Sequence, residues 1–268
     1  MEKGKLITIR ESDGSIVNME IFDSLPSTAT LAREYAKCGY PDRYVVFAEK
    51  RERLSLTHSH DAEYENGIYM SCILRPSLFP SQSSLLGALS ATAFATALEE
   101  HTTSHIGLGW VSDVYCNGLK IGNTAIEAKL DDFGTFEYII VTFKARLDSH
   151  SFPPRMTDMV RKVFESENTS ISMIIARNIL SKFFKFYSHM KTSTRFMDAY
   201  NQRFILRGKA ARYVCASGKK RCKILGVDSH TGALVVELSR GEVKQIFSPA
   251  SVIMPRRVII KRKKQENN

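Results

Sequence analysis

The chain has 268 residues, of which 43% are hydrophobic and 25% charged, a balance typical of a globular protein large enough for more than one domain. No apolar run approaches the ~20 residues needed to cross a bilayer, and the N-terminus lacks the apolar core of a signal peptide. Five scattered cysteines without a Cys-x-x-Cys pair argue against a disulfide framework and a zinc site. These features predict a cytoplasmic protein without a membrane partner.

The net charge of +10 is unevenly distributed along the chain. Residues 1–150 carry 14 Lys and Arg against 20 Asp and Glu, a net −6, whereas residues 151–268 carry 24 against 8, a net +16. Such an asymmetry can point to nucleic acid or to an acidic partner, and it does not say which. Nucleic acid is a less favoured alternative, and for the basic tail at 256–268 a solvated terminus is the default interpretation.

The first half of the chain alternates between strand and helix patterns, which predicts a mixed α/β fold. In chain order, the predicted elements are two strands within residues 1–22, a helix after Ser27 that stops near Gly39, a strand at 44–48, a polar loop at 49–66, a strand at 67–76, a helix at 81–100, a hairpin at 110–128 and a strand at 136–143.

The second half begins with two predicted helices, at about 154–164 and 171–187. The composition changes near Phe204, after which four short strands alternate with glycine turns. Evenly spaced short strands of this kind predict a small β-barrel.

One segment in the middle of the chain has a recognisable signature. It reads Gly109-Trp110-Val111-Ser112-Asp113, continues with Asn117-Gly118-Leu119-Lys120-Ile121 and closes at Glu127. The segment resembles the central signature of biotin protein ligases, which reads Lys-Trp-Pro-Asn-Asp, then Asn-Gly-x-Lys-Ile-Ala-Gly and a closing Glu. The frame fits without a gap, but Gly109 stands in place of the family's catalytic lysine.

Further segments follow the same family plan in the same order. Pro26-Ser27-Thr28-Ala29 resembles the Ser-Thr-Asn segment, and Gly67 to Ser71 with Leu74-Arg75-Pro76 resembles the Gly-Leu-Tyr-x-Ser strand. The resemblance implies an α/β (α+β) fold of the biotin-lipoate ligase type, with a mixed sheet, flanking helices and a C-terminal SH3-like barrel. The expected divisions are a catalytic-type domain at 1–203, the barrel at 204–255 and a basic tail at 256–268.

The resemblance also implies a two-step reaction. Biotin, or another small carboxylic acid, reacts with ATP and Mg to form an adenylate, and the acyl group then passes to a lysine of a biotin-carrier-type protein domain. No tightly bound metal is expected, and family analogy suggests a homodimer.

Three departures from the family fall at the expected active site. The family's loop Gly-Arg-Gly-Arg-x-Gly-Arg is replaced by the glycine-free residues 49–60, so that close backbone approach to a phosphate is lost. The lysine is absent at Gly109, and the Gly-x-Gly-x-Asn strand corresponds to residues 139–143, without glycine or asparagine. Adenylation is therefore predicted to be impaired or altered.

The candidate ligand-binding residues implied by the resemblance are Ser27, Thr28, Arg51, Arg53, Gly67, Tyr69, Trp110 and Asp113, with Lys120 as the best surviving cation. Each has a plainer interpretation, namely a helix cap for the first two, a solvated loop for the arginines and a hairpin anchor for Trp110. His58, His60 and Asp61 form only a weak metal-ligand pattern.

Three hypotheses for function remain open. The chain is a divergent acyl-adenylate-forming ligase, a non-catalytic relative that binds a small acid, a nucleotide or a carrier protein, or an interaction protein that uses its basic half. The missing lysine and glycines favour impaired chemistry over the ordinary family reaction.

Overall fold

Two β-sheets and four α-helices make up the part of the chain that the structure describes. This computed structural model describes residues 4–11, 13–53, 63–77, 83–102, 104–146, 171–190, 194–216 and 218–254. No helix in those ranges is long and apolar enough to cross a membrane.

The larger sheet has eight strands in the spatial order β1-β2-β3-β4-β8-β7-β6-β5. These strands are β1 (Lys5–Arg10), β2 (Ile16–Leu25), β3 (Tyr44–Arg53), β4 (Glu63–Leu74), β5 (Ile106–Leu108), β6 (Asp113–Cys116), β7 (Leu119–Leu130) and β8 (Phe136–Arg146). Only β2 and β3 are parallel neighbours in this sheet, because the chain crosses over between them through a helix.

Helices cover both faces of the larger sheet. They are α1 (Thr28–Lys37), α2 (Ser83–Glu99), α3 (Ile171–Ser188) and α4 (Arg195–Arg203). Alternate residues of β4 take opposite sides: Tyr69 and Ile73 pack in the cluster with α1, whereas Met70 and Leu74 pack in the cluster with α2 and α3. We call these two sides the α1 face and the α2 face.

The smaller sheet has five antiparallel strands in the order β12-β11-β10-β9-β13. They are β9 (Ala210–Cys215), β10 (Gly218–Val227), β11 (Leu234–Leu238), β12 (Val243–Ile246) and β13 (Val252–Ile253). Much of the positive charge of the second half is exposed on β10, at Lys219, Lys220, Arg221 and Lys223.

The structure confirms the predicted mixed α/β fold and most of its elements. The hairpin turn at Asn117 and Gly118 forms as the sequence predicts, with positive φ angles of 49° and 85°. The helix predicted at 171–187 is α3. The predicted C-terminal strands form one five-stranded sheet, in which β12 and β13 are the outer strands among the described residues.

The prediction of a polar loop at 49–66 is wrong at both ends of that range. β3 continues to Arg53 and β4 begins at Glu63, so the charged residues belong to a long hairpin. The register pairs Arg51 with Glu65, so the backbone of each strand supplies hydrogen-bond partners to the other. Helix α4 and strands β5 and β13 were not predicted, while the helix expected at 154–164 and the tail at 256–268 lie outside the described residues.

Candidate functional site

The N-terminus of α1 is attached to the sheet by a chain of buried hydroxyl groups. Ser27 caps the helix, its Oγ accepting a hydrogen bond of 3.2 Å from the Thr30 backbone N–H. The Thr28 hydroxyl lies 2.9 Å from that of Ser71 on β4, which in turn lies 3.0 Å from that of Thr142 on β8. Ser27 is therefore a helix cap, which is its plainer interpretation. Ser27 and Thr28 also border a cavity.

A small cavity of about 20 Å³ opens beside this helix terminus. It is lined by Leu25, Pro26, Ser27, Thr28, Arg51, Tyr69 and Lys144. Four of the residues implied by the resemblance thus come together, and Lys144 joins them. The cavity has room for about one water molecule, so a larger ligand requires side chains such as the exposed Arg51 to move.

Beyond the cavity, a row of polar side chains crosses the α1 face of the sheet. The strand register places Tyr69 of β4 opposite Lys144 of β8, Lys144 opposite Asn123 of β7, and Asn123 opposite Asp113 of β6. Directly opposed residues in antiparallel strands share a face. The cavity is therefore continuous with a polar surface that ends at the central signature.

Asp113 at the far end of this row is already paired. The Lys120 ammonium lies 2.7 Å from the Asp113 carboxylate, and this ion pair is partly exposed. Burial raises the pKa of Tyr115, and the neighbouring Asp113 carboxylate, which accepts its hydrogen bond, adds to that shift. Lys120, expected from the sequence to be the best surviving cation, is thus engaged by Asp113.

Gly109 lies where a side chain would meet Tyr115. A Cβ atom at Gly109 would be 3.0 Å from Cε2 of Tyr115 and 3.2 Å from Cβ of Asp113. Both contacts are tighter than ordinary van der Waals contact. The Tyr115 ring thus borders the position at which the family signature has a lysine.

Trp110 lies away from the small cavity, on the α2 face of the sheet. Its indole Nε1 donates a hydrogen bond of 3.1 Å to the carbonyl oxygen of Gly232 in the smaller sheet's β10–β11 turn. It also borders a second cavity of about 530 Å³, whose other lining residues are Gly87, Val111, Ser112, Thr124, Ile126, Ala128, Leu130, Phe136, Gly232, Phe247 and Pro249. The second cavity is larger, but its lining has no charged group. The interpretation of Trp110 as a hairpin anchor fits this geometry.

Tyr200 of α4 holds the signature segment from the other side. Its buried hydroxyl lies 2.8 Å from the carbonyl oxygen of Gly109 and 3.1 Å from that of Val111, so that one hydroxyl serves two carbonyls. The peptide bond between Trp110 and Val111 is cis. Helix α4, which was not predicted from the sequence, therefore positions the segment that carries the resemblance.

Replacing Tyr200 by phenylalanine should lower the free energy of unfolding by about 1–3 kcal/mol, because the buried carbonyl of Gly109 and the partly buried carbonyl of Val111 lose their donor. Urea denaturation followed by circular dichroism would measure the change. Tyr40→Phe is the matched control, since the Tyr40 ring stacks on Tyr35 and its hydroxyl has no hydrogen bond among the described residues. Equal stability of Tyr200→Phe and the wild type would contradict this role.

Gly67 has a backbone role in the strand that borders the site. A Cβ atom there would lie 2.3 Å from the carbonyl oxygen of Ala145 on β8, so glycine permits the close approach of β4 and β8. The Arg53 side chain, His58, His60 and Asp61 lie outside the described residues. Within the described ranges, no three His, Cys, Asp or Glu side chains converge as metal ligands would.

Three residues of this site were not predicted from the sequence: Ser71, Thr142 and Lys144. Ser71 ends the Gly-Leu-Tyr-x-Ser motif, and strand alternation could have placed Thr142 and Lys144 on one face. An ion pair also joins Arg33 of α1 to Glu127, the closing residue of the signature.

Comparison with known proteins finds similar sequences and similar folds. The chain is 27% identical over 235 residues to the bifunctional ligase/repressor BirA of Bacillus subtilis, which covers 84% of this chain and 71% of the relative. No protein-family model matches the chain.

Solved structures share its fold. Biotin protein ligase from Aquifex aeolicus in complex with biotin and ATP superposes with a TM-score of 0.64 at 17% identity, covering 89% of this chain and 98% of that chain. A biotin protein ligase-like protein of unknown function from Silicibacter gives 0.58 at 15% identity, covering 86% and 94%.

Proposed function

We propose that the chain, which is similar in sequence to BirA and shares the fold of a biotin protein ligase, is a member of the biotin protein ligase family and binds a small carboxylic acid at the N-terminus of α1. We further propose that the family's adenylation of that acid is impaired or altered in this chain. The convergence of Ser27, Arg51 and Lys144 on one cavity is the observation that carries the first proposal.

The surroundings of the cavity favour an anion. Arg51 and Lys144 both border it, and neither forms an ion pair with another described residue. The ten-residue helix α1 presents its N-terminus at the same place, where the unpaired backbone N–H groups and the helix dipole favour negative charge. A carboxylate would therefore find two cations and a helix terminus, while hydroxyl groups would orient it.

The residues fit the family's phosphate chemistry less well. Gly109 supplies no cation, and Lys120 is engaged by Asp113 at 2.7 Å. The sequence at 49–60 has no glycine that would let the backbone approach a phosphate closely. For these reasons no reaction step with ATP and Mg is proposed. Under the hypothesis of altered chemistry, a carrier-protein lysine is the acyl acceptor.

Within this proposal, the chain's own residues have separate tasks. Arg51 and Lys144 neutralise the carboxylate, and Tyr69 forms the wall between them. The hydroxyl chain from Thr28 through Ser71 to Thr142 keeps the helix terminus against the sheet. The ion pair between Arg33 and Glu127 holds the same helix on β7.

Isothermal titration calorimetry with biotin, lipoate and octanoate tests the proposed function. We expect at least one of these acids to bind with a stoichiometry of one, since the cavity provides one cationic end. We expect ATP to change the affinity little, because the phosphate-binding features of the family are missing. The absence of binding by all three acids would refute the proposed function.

A further inference from the structure

Lys144 is a half-buried cation in the middle of the sheet's α1 face. It stands on β8 between Tyr69 of β4 and Asn123 of β7, and it borders the cavity at the α1 terminus. The side chain is partly covered and borders a cavity that also contains Arg51, so an anion in that cavity would meet two positive charges.

Three other cations on this side of the sheet have partners on the protein, whereas Arg51, which also borders the cavity, forms no ion pair with a described residue. Lys120 pairs with Asp113, Arg33 pairs with Glu127, and Lys129 lies 2.6 Å from the Glu137 carboxylate. Lys144 makes no such pair with any residue in the described ranges. Its charge is therefore available to a ligand, whereas that of Lys120 is not.

The backbone around Lys144 is tightly fixed. A Cβ atom at Gly122 would lie 2.2 Å from the carbonyl oxygen of Lys144, and one at Gly67 would lie 2.3 Å from that of Ala145. Glycines on both neighbouring strands thus allow β8 to lie closely between them. The backbone of Lys144 is therefore held in place by both neighbouring strands. A fixed backbone of this kind favours preorganised binding.

We propose that Lys144 binds the carboxylate of the small acid and supplies from β8 the positive charge that Gly109 does not supply. This inference rests on the proposed function, since it names the residue that recognises the acid. The Tyr115 ring borders position 109, while Lys144 borders the cavity itself. In this proposal the positive charge comes from β8, which β7 separates from β6 and the segment at Gly109.

The test compares Lys144→Met with Lys129→Met by calorimetry, using biotin, lipoate and octanoate and the corresponding neutral amides. Lys144→Met should weaken binding of the acid about 10- to 100-fold, as expected for loss of a hydrogen bond to a charged group. Lys129→Met removes a lysine that is paired with Glu137 and does not border the cavity, and it should leave the affinity nearly unchanged. Lys144→Arg should recover part of the loss, because it restores the charge.

The outcomes separate this inference from the proposed function. If the wild type binds an acid and Lys144→Met binds it equally well, Lys144 is not the carboxylate-binding residue, although the proposed function stands. If the wild type binds no acid, both fail. Should Lys144→Met not fold, Lys144→Gln takes its place: the wild type should prefer the acid over its amide by about tenfold or more and the variant should lose that preference, whereas an unchanged preference in the variant would overturn the inference.

Discussion

Replacing Gly122 by alanine should destabilise the protein by about 3 kcal/mol or more, because overpacking against backbone atoms has no easy relief. The new Cβ would lie 2.2 Å from the carbonyl oxygen of Lys144 and 3.1 Å from Cα of Ala145. Either β7 or β8 would have to shift, and the row of paired residues across the sheet would shift with it. The melting temperature should fall by roughly 6–12 °C for a chain of this size.

Gly226→Ala is the matched control for this change. Its new Cβ would meet only the end of the flexible Arg207 side chain, at 3.3 Å, which can move aside. Thermal denaturation followed by circular dichroism would measure both variants. A melting temperature of Gly122→Ala equal to that of the wild type would show that β7 and β8 are not packed as closely as the structure shows.

Pyrophosphate exchange with ATP and biotin should be about 10²–10³-fold slower than in a biotin protein ligase that carries the signature lysine. That is the size of the rate loss typical for removing one preorganised donor to a developing charge. Gly109 has no side chain to donate, and Lys120 is held by Asp113 at 2.7 Å. The glycine-free sequence at 49–60 should make the loss greater, since it is an independent departure.

The assay needs the lysine-bearing enzyme as a positive control, measured in the same buffer with the same acid. Exchange should be equally slow with lipoate and octanoate, because the missing groups act on the phosphate and not on the acyl chain. An exchange rate within about threefold of the control enzyme, well inside the loss expected here, would show that this chain's adenylation is intact.

Local sequence signals predicted the elements whose cause is local. The Asn117-Gly118 turn fixed the signature hairpin because both residues adopt positive φ angles there. Ser27 was recognisable as a cap, and the apolar spacing of α3 was recognisable as a core face. These signals depend on neighbours within a few residues, so a single sequence contains them.

The strand register decides which residues come together at the site, and this register could not be predicted from the sequence. Trp110 and Asp113 are three residues apart, yet Trp110 borders the cavity on the α2 face and Asp113 lies on the α1 face. Lys144 and Ser27 are far apart in sequence and meet only because β4 pairs with β8 under α1. The pairing of Lys120 with Asp113 is likewise a matter of side-chain geometry, which no spacing rule gives.

The extension of β3 to Arg53 has a related cause. Charged residues predicted a solvated loop, but the strand β4, which begins at Glu63, supplies backbone partners to β3 as far as Arg53. This extension places Arg51 at the edge of the cavity, on a strand that fixes its backbone. A tertiary pairing thus turned a polar segment into part of the candidate site.

A crystal structure with the best-binding of the three acids tests most directly where the ligand lies. The predicted result is a carboxylate within about 3 Å of the Lys144 ammonium, the usual distance of a charge-assisted hydrogen bond, and next to Arg51 at the α1 terminus. An acid bound instead in the apolar cavity beside Trp110 and Phe247, with Lys144 free of ligand, would contradict the proposed site.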